Sequence, residues 1–386
     1  MQITILGAGL IGRVIARELA SEEDLDVLVF DADEAALDHV GRETRAAVYH
    51  ADLSRAEAVS SAVAEADAVV GALPGALGFS MLRAVVEAGK PIADISFSRE
   101  DPLQLEALAR ERGATVVVDC GVSPGLSSYF VGRAARDLDE VDEARIYVGG
   151  LPFARRWPYE YSIVFSMSDV LEEYTRPARV FEGGSLVARP ALSEVERIEV
   201  PSVGTLEAFL TDGLRTLLRT VPARTMKEKT LRYPGHAEKM EMLRESGFFD
   251  ETPIELRGGA RVTPREVTEE LFARAWQRPE NAEEFTYLKV VVSGLKSGRN
   301  LRTTFELLDE THHATGTTSM ARTTAFPCAV LARMLARGEY RDPGVRPLEM
   351  LAANREAAAR FELGLTARGI RWTKETHEIE ARSLSE

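Results

Sequence analysis

Gly7, Gly9 and Gly12 form a Gly-x-Gly-x-x-Gly pattern between the apolar run Ile3-Thr4-Ile5-Leu6 and an amphipathic stretch from Leu10 to Leu19. That spacing suits a diphosphate. Gly7 permits a tight turn out of a strand, Gly9 lets a pyrophosphate approach the backbone, and Gly12 lets the next helix pack close to the strand. The helix start offers unpaired N–H groups and a positive dipole end, and Leu10 and Ile11 belong to the same cofactor-binding loop. Asp31 closes the second apolar run, 19 residues after Gly12. A carboxylate there accepts hydrogen bonds from ribose hydroxyls and repels a 2′-phosphate, so NAD is expected and NADP is less favoured. The other role open to Asp31 is capping a helix that starts near Asp33.

Further candidates follow from the rule that ligands lie beyond the carboxyl ends of the strands in an open α/β sheet. Asp52 and Leu53 follow the third run and are placed beside adenine. Ala72, Leu73 and Pro74 follow the fourth, where small residues let the backbone pass near a cofactor; an ordinary turn is the competing reading. Asp94 and Asp119 end the fifth and sixth runs, where the nicotinamide would lie. An acid at either position orients an amine or takes its proton, or else caps a helix.

The elements that must position these residues are legible up to residue 120. Apolar runs at Ile3–Leu6, Val27–Phe30, Ala46–Tyr49, Ala68–Val70, Pro91–Ile95 and Thr115–Val118 alternate with amphipathic stretches, two of which close on Gly89 and Gly113. Alternating strands and helices imply a parallel sheet covered on both faces, so the fold class expected is α/β, a Rossmann doubly wound sheet. After Asp119 strand-like segments follow one another: Ala144–Val148, Ser162–Phe165, Arg197–Val200, Thr230–Tyr233, and Phe285–Ser293 turning through Ser297-Gly298 into Leu301–Leu307. This implies an inserted α+β domain for substrate binding and dimerisation. Apolar helices are expected at Met320–Gly338 and Leu348–Leu365. The expected division is 1–120 plus about 316–386 for the dinucleotide-binding domain, and 121–315 for the insertion.

Composition narrows the function classes. At 386 residues two domains are the natural reading. A formal charge of −14 opposes binding to phosphate backbones, so no nucleic-acid partner is expected. Two cysteines and six scattered histidines give no ligand spacing, so no metal is expected. No apolar run approaches the roughly 20 residues of a membrane span, and no signal segment precedes Gln2; the expected location is cytoplasmic, with no membrane partner.

Several segments taken in order carry a resemblance. They are Asp119-Cys120-Gly121-Val122-Ser123-Pro124-Gly125, Tyr147-Val148-Gly149-Gly150-Leu151-Pro152, Tyr159 to Ser166, Glu173-Tyr174-Thr175-Arg176-Pro177-Ala178, Leu192 to Glu196, and Arg232 to Lys239. Over nearly its whole length the chain resembles the saccharopine dehydrogenase-like family, and within it the NAD-dependent L-lysine 6-dehydrogenases. The resemblance implies hydride transfer between a nicotinamide cofactor and a carbon–nitrogen bond of an amino acid. For the lysine enzymes this means oxidation at the ε-carbon and hydrolysis of the imine to a semialdehyde. It also implies an inserted domain forming the substrate cleft and the subunit contact, hence a homodimer or dimer of dimers.

Site candidates in the matched segments are Glu160 and Tyr161 at the cleft border, His236 as acid or base, and Lys239 or Arg232 to hold a carboxylate. Each also has a bland reading as a core or surface residue. Arg215 is a departure from the lysine enzymes: it would add charge near the substrate, holding a second carboxylate or excluding a cation. With Arg155 and Arg156 it would favour a saccharopine or carboxynorspermidine type of imine-reducing dehydrogenase. A reading from another class is a non-catalytic dinucleotide sensor, which predicts a cleft with no ionisable group near the nicotinamide.

Overall fold

A computed structural model of the chain describes residues 1–163, 166–279 and 282–380. The first 117 residues deliver six short strands: β1 (Gln2–Leu6), β2 (Asp26–Asp31), β3 (Ala47–His50), β4 (Ala68–Gly71), β5 (Ile92–Asp94) and β6 (Thr115–Val117). The Val, Ile and Ala side chains of all but the edge strand β3 are buried, as a parallel sheet between helices demands, while β3 is largely exposed. All pair in parallel in the order β6-β5-β4-β1-β2-β3, and a seventh strand, Gly344–Val345, adds beside β6. The order reverses between β1 and β4, which opens a crevice at their carboxyl ends.

The second sheet has nine strands and is mixed. Its centre is β7 (Glu140–Pro152), flanked by the parallel strand Thr225–Arg232 and the antiparallel strand Glu284–Lys296. The latter turns through Ser297 and Gly298, both at positive φ, into Arg299–Glu310. The expected strand at Ser162–Phe165 does not form over the residues described there; Val164 and Phe165 lie outside the described residues. The strands Ala178–Glu182, Ser185–Arg189 and Gly204–Leu210 were not foreseen.

The helix Ser319–Ala336 returns to the first sheet, where Arg333 and Arg337 reach Glu22 beside α1 (Gly12–Ala20) and Cys328 Sγ lies 3.6 Å from Ala93 O. The run expected as one helix at Leu348–Leu365 is two, because Asn354 caps the second, Arg355–Ala367, by accepting from Ala357 N–H. The expected assignment of everything after 316 to the first domain is corrected at the end: Thr373–Glu378 hydrogen-bonds along the edge strand Arg299–Glu310 of the second sheet. Residues 381–386 lie outside the described residues. No described helix is long and apolar enough to cross a membrane.

Candidate active site

β1 ends at Leu6, and the chain turns at Gly7 with φ 115°. A Cβ on Gly7 would stand 2.4 Å from Ala72 O, and one on Gly12 would stand 2.1 Å from Gly7 O. Glycine is therefore obligatory at both, since the loop after β4 and the start of α1 close directly onto the turn. Around Gly9 the space is open, with nothing within 4 Å of a built Cβ. The first turn of α1 has no side-chain cap; Arg13 N–H donates to Gly9 O and Val14 N–H to Ile11 O, both at 3.0 Å, which draws the glycine loop onto the helix start. A pyrophosphate fits this cradle.

Asp31 ties the crevice together. Its carboxylate accepts from Ala8 N–H at 2.6 Å and from Asp33 N–H at 2.9 Å, which leaves each oxygen a second lone pair. The helix Glu34–Glu43 is capped by Asp33, whose side chain accepts from Ala35 and Ala36 N–H. Capping thus belongs to Asp33 and not to Asp31. Asp52 is exposed and holds Ser54, whose hydrogen bonds keep its carboxyl below the usual carboxylate range.

Gly9, Leu10, Ile11, Gly12, Asp31, Asp52, Leu53, Ala72, Leu73 and Pro74 line one cavity of about 580 Å³, and Gly7 lies beneath them. The same cavity continues past Asp119 to a second chamber between the sheets, lined by Tyr161, Glu173, Thr211, Glu228 and Arg232. Gly149 and Gly150 of β7 let neighbours approach: a Cβ on Gly150 would stand 2.2 Å from Met320 Cε. Arg232 is buried, pairs with Glu173, and stacks over Tyr161 with Cζ 4.4 Å from the ring centroid. Burial pushes the Glu173 carboxyl up despite that partner.

Models of two families match in tandem, the saccharopine dehydrogenase NADP binding domain over residues 3–117 and the saccharopine dehydrogenase C-terminal domain over 121–370. The chain belongs to the saccharopine dehydrogenase family. This family member is 22% identical to the carboxynorspermidine synthase of Vibrio cholerae, over 91% of its own length and 92% of the relative's. It is 24% identical to the NADP(+)-dependent, L-glutamate-forming saccharopine dehydrogenase of Schizosaccharomyces pombe, over 75% and 67%. A carboxyaminopropylagmatine dehydrogenase of Synechocystis is 22% identical over 94% and 96%. In fold it matches the apo L-Glu-forming saccharopine dehydrogenase of Saccharomyces cerevisiae, with a TM-score of 0.80 at 17% identity, covering 97% of this chain and 99% of the other. The chain is thus a saccharopine dehydrogenase-like oxidoreductase with a dinucleotide-binding domain.

Of the eight candidates for chemistry in this saccharopine dehydrogenase family member, Asp119, Tyr161 and Arg232 line the cavity and five do not. Asp94 is buried behind the wall, filling the space over Gly71 and accepting from Ser96 N–H; burial, with Asp119 nearby, pushes its carboxyl up to about 7. Arg215, expected to meet substrate, is committed elsewhere. It bonds Asp119 and Ser98 O, and its Cζ lies 4.9 Å from the Phe97 ring centroid. His236 is sealed in an aromatic cluster with Nε2 2.9 Å from Tyr174 Oη and Nδ1 3.0 Å from Tyr159 O. Burial, with Arg232 adding, drives its pKa down to about 3, so it stays neutral and away from substrate.

Lys239 sits half-buried one helical turn beyond His236 and outside the cavity. Glu160 turns outward to Arg155 Nε at 2.6 Å. The residues that sequence reasoning missed are Asp169, Glu172, Glu173 and Arg176 on and just after the helix Met167–Thr175, together with Thr211, Asp212 and Glu228.

Proposed function

We propose that this chain is an NAD-dependent dehydrogenase acting on a carbon–nitrogen bond of an amine-rich amino acid. The observation that carries the reading is the balance of charge along one continuous cavity. Beyond the cofactor loop, its lining holds six carboxyl side chains (Asp119, Asp169, Glu172, Glu173, Asp212 and Glu228) and two guanidinium groups, Arg176 and Arg232. Arginines from outside the lining answer three of these acids, Arg215 on Asp119, Arg179 on Asp212 and Arg99 with Arg265 on Glu172, and Arg232 answers Glu173. Asp169 and Glu228 are left as the lining acids without an ion pair among the described residues. That surplus favours a substrate with an ammonium to spare, and lysine fits it ahead of substrates bearing several carboxylates. Arg155 and Arg156 sit outside the lining and Arg215 is spent on Asp119, so none of the three is free for an extra carboxylate.

When bound, the nicotinamide supplies the acceptor or donor of the hydride. The chain's own residues have three tasks. The reacting amine must be neutral, because an ammonium has no lone pair to form the C=N bond as hydride departs; Asp119, held at its strand end by Arg215, is placed to take that proton. Arg232 or Arg176 holds the single carboxylate. The closely packed glycines of β7 narrow the chamber and limit water. The presence of these ionisable groups disfavours a purely sensory role.

For the cofactor, the adenosine end is lined by Asp31, Asp33 and Asp52, and by no lysine or arginine among the described residues. Three carboxylates there repel a 2′-phosphate, which supports NAD even though the S. pombe relative is named for NADP(+).

A second reading of the same class is favoured by the relatives: an amine and a carbonyl condense and the imine is reduced, as the names carboxynorspermidine synthase and saccharopine dehydrogenase suggest. Two assays run side by side separate the readings. Nicotinamide reduction with L-lysine and other basic amino acids at mildly alkaline pH is expected under the first. Oxidation of NADH or NADPH only when an amine and an aldehyde are supplied together is expected under the second. Absence of nicotinamide redox in both assays, across the amine panel, removes the whole class.

A further inference from the structure

We infer that Glu228 is the seat for a second, non-reacting ammonium group of the substrate, so that the chain selects diamine-bearing compounds over monoamines. The assignment rests on the amine-dehydrogenase reading above and names the feature its substrate must carry.

Glu228, Thr230 and Arg232 alternate along the strand Thr225–Arg232, so they share one face, and all three line the cavity. Four of the neighbouring acids are matched by arginine, Glu172 by Arg176 among them, whereas Asp169 shares with Glu228 the lack of an ion pair among the described residues and is held by a hydrogen bond from Ser166. Glu173 pairs with Arg232; Asp119 pairs with Arg215; Asp212 takes a two-pronged contact from Arg179, Nε to Oδ1 at 2.9 Å and Nη2 to Oδ2 at 2.8 Å. Glu228 has only neutral partners. Thr211 Oγ1 donates to Oε2 at 2.5 Å, and Gly213 N–H donates to the carboxyl. Among the described residues no cation reaches it, although it is 3% exposed and part of a ligand-sized cavity.

Two further observations point to an occupant. A Cβ on Gly213 would stand 2.5 Å from Glu228 Cδ, so a glycine keeps the backbone N–H close to the carboxyl and the space clear. Tyr161 Oη, on a residue 5% exposed that lines the same cavity, has no hydrogen-bond partner among the described residues. A buried hydroxyl without a partner costs free energy until a ligand supplies one. Burial, with Glu173 and Asp212 close by, pushes the Glu228 carboxyl up to about 8, and an arriving ammonium offsets the cost of the buried charge and draws the proton off the carboxyl. Among the described residues no group of three His, Cys, Asp or Glu is placed to hold a metal ion, which leaves an organic cation as the matching ligand. A compound lacking the second amine leaves the acid buried and unmatched, and sites of that kind discriminate strongly.

The test is calorimetric titration of the full chain saturated with NADH, which cannot take hydride from an amine, using 1,5-diaminopentane, L-lysine and pentylamine against wild type, Glu228→Gln and Glu228→Asp. Glutamine keeps an acceptor for Thr211 and Gly213 and removes the charge. Glu228→Gln is expected to weaken 1,5-diaminopentane and L-lysine by about 10- to 100-fold and pentylamine by less than about threefold, with NADH affinity unchanged. Glu228→Asp is expected to restore part of the diamine affinity. Equal diamine affinity in wild type and Glu228→Gln overturns the assignment, and so does a wild type that binds pentylamine as tightly as the diamine or binds none of the three. Diamine binding that depends on Glu228 without any nicotinamide redox would keep the seat and sink the dehydrogenase reading instead.

Discussion

The two ends of the cavity are built from opposite materials. The cofactor end is backbone: a glycine turn, a helix start, and carboxylates at strand ends that are exposed or bonded only to backbone N–H groups or a neighbouring serine. The substrate end is side chain: acids and guanidinium groups from the segment just after β6, the helix Met167–Thr175, the loop 211–215 and the strand Thr225–Arg232, many of them interlocked in pairs. A backbone site recognises what all dinucleotides share. A site of matched buried charges is tuned to one distribution of charge, and its stability is coupled to its specificity.

Breaking the second material should cost most. Arg232→Met keeps the volume and leaves Glu173, half-buried in the cavity wall, without its partner. A loss of about 1–3 kcal/mol in denaturant unfolding is expected, because the desolvated carboxylate loses its charged hydrogen-bond donor. Adding Glu173→Gln should restore most of it. A single variant as stable as wild type would mean that the pair is solvated and the substrate end is not a matched-charge site.

The cofactor end should respond in the opposite way. Gly9→Ala adds a methyl group to open space, so folding stability should stay within about 0.5 kcal/mol of wild type. Dinucleotide affinity, read by NADH fluorescence titration, should fall by about tenfold or more, about 1.4 kcal/mol, because the methyl occupies the pyrophosphate's approach. Affinity lost only together with stability would show that the glycine serves the fold and not the ligand.

The same contrast explains what was legible in the sequence. Gly7 to Gly12, Asp31 and the loop after β4 act through local backbone geometry, which residue type and spacing dictate. The strand alternation up to residue 117 was equally local. The substrate end depends on contacts between distant segments. His236 looked available because Tyr174 and Tyr159, which occupy its two nitrogens, lie 62 and 77 residues away. Arg215 looked free because Asp119 is 96 residues away. One local signal went unread: Asp169, Glu172, Glu173 and Arg176 recur at i, i+3, i+4 and i+7, the spacing of a single helix face. That pattern is sought among apolar residues, and here it is written in charges. Asp94 erred differently, since a strand-end position does not fix where the side chain points, and this one folds over Gly71.

Asp31 sharpens the comparison within the cofactor end, because it is the side chain there that touches the loop backbone. Asp31→Ala should lower the NAD-to-NADP ratio of kcat/KM by about tenfold, about 1.4 kcal/mol, through loss of a ribose acceptor and of repulsion toward a 2′-phosphate. An unchanged ratio would assign the preference to Asp33 and Asp52.

The smallest effect marks where the substrate end stops. Glu160 adjoins Tyr161 in sequence, yet its carboxylate faces Arg155, a residue 51% exposed, and neither residue lines the cavity. Its backbone sits at φ 53°, so Glu160→Gln is the appropriate change, preserving side-chain length without altering the strain a smaller residue would reset. A solvated pair of this kind contributes about 0–1 kcal/mol, and screening by salt should diminish it further. Glu160→Gln is therefore expected to shift unfolding by under about 0.5 kcal/mol and to leave kcat/KM within about twofold. A tenfold loss of kcat/KM with stability intact would carry the chamber outward past Tyr161, and charge matching would then extend to a surface where solvent competes with it.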